Sequence, residues 1–180
     1  MVNLWKSLIS ILLIFILMDS VSLADEQHAT EYKGTQEFER IKSIVGVWQG
    51  TSIMGKGGEK QEENVTVEYK LTSGGSALVE TLFPGTPHEM VSVYHDKGGK
   101  LSMTHYCMLG NQPQMNLKKS EGNVFEFDLI SDGDINAQRD QHMHSLTISF
   151  LDNNNIIQKW TLYEDGKEKD TTTIKLTRVN

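Results

Sequence analysis

Polar and apolar residues alternate with period two over most of this chain, and the alternation is interrupted at regular intervals by turn residues. One stretch departs from it. Between Gln36 and Ile44, residues Phe38, Ile41 and Val45 recur at helical spacing. Thr35 stands where an N-cap belongs, Glu37 and Glu39 fall early, and Arg40 and Lys42 fall late, an order that suits the helix dipole. Gly46 ends the helix. Only one of its faces is apolar, so it must lie against another element.

From Gly46 onward the period is two. Turn signals recur at 55–58, 73–75, 84–87, 96–99, 110–113, 120–122, 131–134, 152–155 and 164–166. They separate ten predicted strands: 46–54, 64–72, 76–83, 88–95, 100–109, 114–118, 123–130, 142–151, 156–164 and 169–179. Turns this close together join antiparallel strands as hairpins. No helical stretch is left to cover a sheet face, so ten strands favour closure into an all-β, up-and-down antiparallel barrel without exposed edges. The short helix would close one end.

The apolar positions of each strand define the inward face. On strand five, Leu101, Met103, His105 and Cys107 share a face; on strand eight, His142, His144, Leu146, Ile148 and Phe150 do. Phe125, Phe127 and Trp160 face inward by the same rule. Glu80 alternates with Leu78 and Leu82 and would point inward, but Val79 and Phe83 offer the opposite assignment, and the pattern does not choose. Odd and even strands run in opposite directions. His105, Cys107, His142, His144 and His88 therefore gather at one rim, edged by the loops 84–87, 110–113 and 131–141. Trp48 and Arg178 belong to the other end.

Composition narrows the function. The chain has 180 residues and a formal net charge of −7. No basic run is present to neutralise phosphates, which argues against a nucleic-acid partner. Lys6 followed by an apolar run from Leu8 to Met18, with Ser22 and Ala24 at signal-peptidase spacing, predicts a cleaved signal peptide over 1–24 and an exported protein, the alternative being an uncleaved N-terminal anchor lengthened by Val2, Leu4 and Trp5. That run is shorter than the roughly 20 residues a bilayer span needs, so the mature chain is not expected to insert stably in a membrane. Residues 25–34 read as a polar leader and 35–180 as one barrel domain. The single cysteine, Cys107, has no internal disulfide partner.

A short helix, Gly46-Val47-Trp48 on the first strand, and Arg178 ending the last resemble the calycin superfamily of lipocalins, fatty-acid-binding proteins and nitrobindin-like barrels. The stretches GGSALVETLFPGTPHEMVSVYH and THYCMLGNQPQM are also similar to an uncharacterised family of bacterial exported lipocalin-like proteins. The resemblance implies that Arg178 stacks on Trp48 and closes the barrel floor, and that a small apolar molecule occupies the interior. The chain also departs from these groups. Nitrobindin-like barrels hold haem through a histidine near the C-terminus, and residues 171–180 contain none. Lipocalins usually carry a disulfide, and fatty-acid-binding proteins have a two-helix lid where this chain has a loop rich in Gly, Glu and Lys.

The leading expectation is a barrel holding a largely apolar ligand near a histidine-rich mouth. Its candidate lining is His88, Met90, Met103, His105, Cys107, Asn111, Gln112, His142, His144 and Trp160, with Leu146, Phe125 and Phe127 behind them. Eight methionines suit a pliable site. A second reading groups His105, Cys107, His142 and His144 as a metal or haem set, since histidines at i, i+2 project from one strand face. The distance between strands five and eight, about 14 Å along the wall, tells against convergence. A third takes Cys107 as a nucleophile with a histidine from another strand as base. A fourth leaves the interior filled and the protein structural. No cofactor is named by the residues.

Overall fold

The computed structural model describes residues 32–55, 60–130 and 135–179. The expected signal peptide over 1–24, most of the expected leader and the turns at 56–58 and 131–134 lie outside the described residues. Helix α1 (Gln36–Lys42) is the only α-helix among them. Thr35 accepts the amide of Phe38 on its hydroxyl, as an N-cap should. Asp96 in turn accepts both the amide and the hydroxyl of Thr35, at 2.7 Å each. Phe38 and Ile41 are fully buried and seat the helix on the barrel end; Val45, the third member of the expected stripe, is exposed, and Ile44 is buried in its place.

Ten strands follow: β1 (Gly46–Met54), β2 (Gln61–Thr72), β3 (Ala77–Leu82), β4 (Met90–Lys97), β5 (Lys100–Tyr106), β6 (Gln114–Glu121), β7 (Val124–Leu129), β8 (His142–Phe150), β9 (Asn155–Glu164) and β10 (Lys167–Arg178). Each pairs antiparallel with its sequence neighbours, and β1 pairs with β10 to close the barrel. The expected all-β up-and-down barrel is the observed fold. Gly98 and Gly99, with φ of 60° and 77°, turn β4 into β5 between the paired residues Lys97 and Lys100. Two successive positive φ values are what a two-residue hairpin of this twist requires.

Closure depends on close backbone approach. A Cβ at Gly50 would stand 1.7 Å from the Lys175 carbonyl oxygen, so only glycine lets β1 and β10 pair here. Below that point Arg178 lies over the Trp48 ring, 4.3 Å from its centroid. Its guanidinium donates to the carbonyls of Val45, Ser43 and Asn153 at 2.6, 2.7 and 3.1 Å. The first two are at the C-terminal end of α1, where a cation complements the dipole. One residue thus locks floor, helix and last strand together.

Strand five ends earlier than the pattern predicts. Cys107 to Gly110 form a tight turn, with the Gly110 amide on the Cys107 carbonyl at 2.9 Å. Two more backbone bonds follow the last strand pair: the amides of His105 and Cys107 donate to the carbonyls of Pro113 and Asn111 at 3.0 and 3.1 Å.

Strand eight carries the larger correction. Met143 pairs with Leu162 and Leu146 with Trp160, so the two residues between them on β8 oppose the single Thr161 on β9. His144 is the extra residue of a bulge. Paired residues share a face, and both Met143 and Leu162 line the interior. His142, opposite Tyr163, is therefore on the face of the wall away from the cavity, where it is fully buried and His144 stacks on Tyr163 with centroids 3.8 Å apart. The bulge removes both from the inward set that strict alternation predicts.

Candidate functional site

The closed half of the barrel is packed solid. Trp48, Val67, Leu78, Tyr94, Met103, Met115, Phe127 and Leu146 are at most 1 % exposed, and Tyr94 meets Phe127 edge-on at 5.9 Å. Phe125 meets Phe150 likewise at 5.1 Å. Met103, Phe125, Phe127 and Leu146 therefore fill the core and do not line the cavity described next. The open half is hollow. It holds a cavity of about 540 Å³, within the 300–1,000 Å³ range usual for small-molecule sites. Its walls are largely apolar: Leu82, Met90, Met143, Trp160, Leu162 and Ile174. Met54, Met108 and Leu109, all exposed, form the lip.

Of the candidate residues, His88, Met90, His105, Cys107 and Trp160 line this cavity, and Met103, Asn111, Gln112, His142 and His144 do not. His88 is exposed at the mouth, edge-on to Phe83 at 6.5 Å. Phe83 itself sits at φ 54°, a conformation costly for a bulky side chain, which carries its ring to the cavity wall. Asn111 ties the 110–113 turn to the neighbouring loop by donating to the Gln141 carbonyl at 2.7 Å. Gln112 is exposed and reaches only the Gly110 carbonyl.

The metal set does not assemble. His105 and Cys107 are inside and His142 and His144 outside, and among the described residues no three His, Cys, Asp or Glu side chains converge on one point. His142 donates from Nδ1 to the Asp140 carbonyl at 2.7 Å, and its Nε2 meets His144 Nδ1 at 3.1 Å. Burial, with the neighbouring His142, pulls the His144 pKa down. Burial raises that of the Cys107 thiol, against hydrogen bonds from the Leu109 and Met108 amides. A thiol rather than a thiolate faces the cavity, which does not suit a nucleophile.

The polar chemistry lies at the cavity floor, where His105 is on the lining and Glu80, whose side alternation leaves undecided, stands behind it. Register places Tyr69, Glu80, Ser92 and His105 directly opposite one another on β2, β3, β4 and β5. All four face inward and are buried. Glu80 accepts the hydroxyls of Tyr69 and Tyr94 at 2.7 and 2.9 Å, and the Gln158 amide from across the barrel. Trp160 donates to Gln158 at 3.2 Å. Burial raises the Glu80 pKa, while bonds from Gln158, Tyr69, Ser92 and Tyr94 favour its charged form. Ser92 Oγ lies 3.0 Å from His105 Nδ1. Burial lowers the His105 pKa to about 4, so the ring is neutral at neutral pH. Its Nε2 is buried without a protein partner among the described residues. Of this row, alternation puts His105 inside and flags Glu80 with its side undecided; Ser92 and Tyr69, and Gln158 across the barrel, are not singled out by it.

No protein-family model matches the chain, and no curated protein matches it either. Solved structures do. A protein of unknown function of the DUF3598 family from Nostoc punctiforme aligns over 77 % of this chain with TM-score 0.57 and 15 % identity. The chain covers only about half of that protein, 49 %. Rv2717c from M. tuberculosis aligns with TM-score 0.55 and 12 % identity, over 82 % of this chain and 100 % of its own. The S-type phycobiliprotein lyase CPES from Guillardia theta aligns with TM-score 0.54 and 9 % identity, over 79 % and 92 %. At such identities the likeness speaks to the fold. It fits a calycin-like barrel.

Proposed function

We propose that this protein is an exported carrier or sensor barrel that binds a small, largely apolar molecule in the cavity between Trp160 and the Met108–Leu109 lip. The observation that carries the reading is the division of the interior: the closed half is packed solid, and the open half keeps about 540 Å³ bounded by Leu, Ile, Met and Trp side chains. A purely structural barrel of this size is filled throughout by side chains. Export rests on the Lys6, Leu8–Met18 and Ser22/Ala24 pattern of the N-terminal segment.

Titration with Nile red, an uncharged fluorophore bright only in apolar surroundings, tests the binding function. Saturable one-to-one enhancement in the micromolar range, quenched in a Leu162→Trp variant, is the expected result. Native mass spectrometry of protein taken from its source without detergent should show a co-purified mass lost on organic extraction. Absence of both signals rejects the proposal. Export is checked separately, by N-terminal sequencing of the protein outside the cytoplasm: a start at Asp25 agrees, and an intact Met1 in the cytoplasm does not.

A further inference from the structure

Resting on that binding reading, the cavity floor specifies the head group of the ligand. His105 is 1 % exposed, lines the cavity, and has its Nε2 without a protein partner. A buried nitrogen left without a partner loses its hydration, so a bound molecule that satisfies it gains a hydrogen bond the site otherwise lacks. Which bond depends on the tautomer, and a charged Glu80 in the row Glu80–Ser92–His105 favours one of the two. Ser92 has one proton to give. Glu80 is the strongest acceptor beside it, and its other neighbours, Tyr69, Tyr94 and Gln158, are donating to the carboxyl group. With the Ser92 proton turned to Glu80, Ser92 Oγ accepts from His105 Nδ1–H. The neutral ring then leaves the Nε2 lone pair, buried at the cavity floor, as a free acceptor.

The remaining lining sharpens this. Glu62, Glu63 and Asp170 are the charged residues of the described cavity wall, and neither Lys nor Arg is among them. A carboxylate head group would meet an acceptor at the floor and like charge at the rim, with no cation among the described lining residues to replace its water. We propose that the cavity selects an apolar molecule with an uncharged head group that carries one O–H or N–H donor, seats that donor on His105 Nε2, and rejects carboxylates of the same length.

Three ligands of one chain length separate the contributions: decan-1-ol, its methyl ether 1-methoxydecane, and decanoate, each displacing Nile red at neutral pH. One neutral hydrogen bond predicts that the alcohol binds about five- to tenfold tighter than the ether. Decanoate should bind at least about tenfold more weakly than the alcohol. In His105→Phe the alcohol-to-ether ratio should fall to about one. In the unaltered protein, nitrogen NMR of the imidazole should show Nδ1 protonated and Nε2 bare, a readout that does not depend on any variant folding. Equal binding of alcohol and ether, decanoate as the tightest of the three, a ratio unchanged in His105→Phe, or a proton on Nε2 would each overturn the head-group assignment. A protein that takes up neither the dye nor any of the three compounds loses the binding function itself; one that takes up all three alike keeps that function and loses only this selectivity.

Discussion

Burial sets the charge of His105, and the consequence can be measured as stability. Its folded pKa of about 4 lies below the ordinary histidine value of 6.5. Between those limits the unfolded chain binds a proton that the folded chain does not. The stabilising contribution is therefore complete above pH 6.5 and is lost as pH falls toward 4, about 3 kcal/mol over the window. Glu80 acts in the other direction: its raised pKa means the folded state holds a proton longer, so its contribution declines as pH rises through the carboxylate range. Subtracting the profile of His105→Phe from that of the natural protein isolates the histidine. Urea unfolding at pH 7 and pH 4 should show the difference shrink by about 3 kcal/mol at the lower pH. Parallel profiles would mean that His105 is hydrated.

The strands were legible in the sequence wherever alternation ran unbroken between turn residues, and the helix wherever charge order and cap agreed. Strand eight shows where that legibility stops. The run from His142 to Phe150 alternates cleanly on paper, and no Gly or Pro marks the bulge that turns the two histidines outward. What decides the matter is a cross-strand fit: Met143 pairs with Leu162 at the cavity wall, and His144 gains the face of Tyr163. Neither partner can be read from the strand itself. The same limit applies to Glu80, whose side was undecided until Tyr69, Tyr94 and Gln158 were seen to surround it. Because His144 is the extra residue, its deletion should restore regular alternation without moving Met143 or Leu146. Loss of the Tyr163 stack and the His142 bond is worth about 2 kcal/mol. The deletion variant should fold, melt somewhat earlier and still take up Nile red. Deleting Thr147 instead, in the regular part of the strand, shifts Ile148 and Phe150 to the wrong face and should abolish folding. Equal damage from both deletions, by circular dichroism and thermal melting, would remove the bulge assignment.

Taken together, these parts divide one barrel into two halves with different tasks. Arg178, Trp48 and α1 fix the closed end, and the aromatic core above them supplies stability that needs no ligand. The Glu80 row forms the partition. Beyond it, removing side-chain volume has left room, and the wall can accept added volume that the packed half cannot. Two substitutions of the same kind therefore diverge. Leu162→Trp enlarges a side chain that borders open space; stability should change by less than about 1 kcal/mol while Nile red affinity falls tenfold or more. Leu146→Trp enlarges one that is fully buried among Phe127 and Trp160 on paired strands, and overpacking should cost about 1–3 kcal/mol. Affinity of the fraction that remains folded should be nearly unchanged, because Leu146 lies off the cavity wall. Urea midpoints and dye titrations on the pair give the comparison directly. If Leu162→Trp proves as destabilising as Leu146→Trp, the open half is filled in solution, and a structural role for the barrel takes the place of binding.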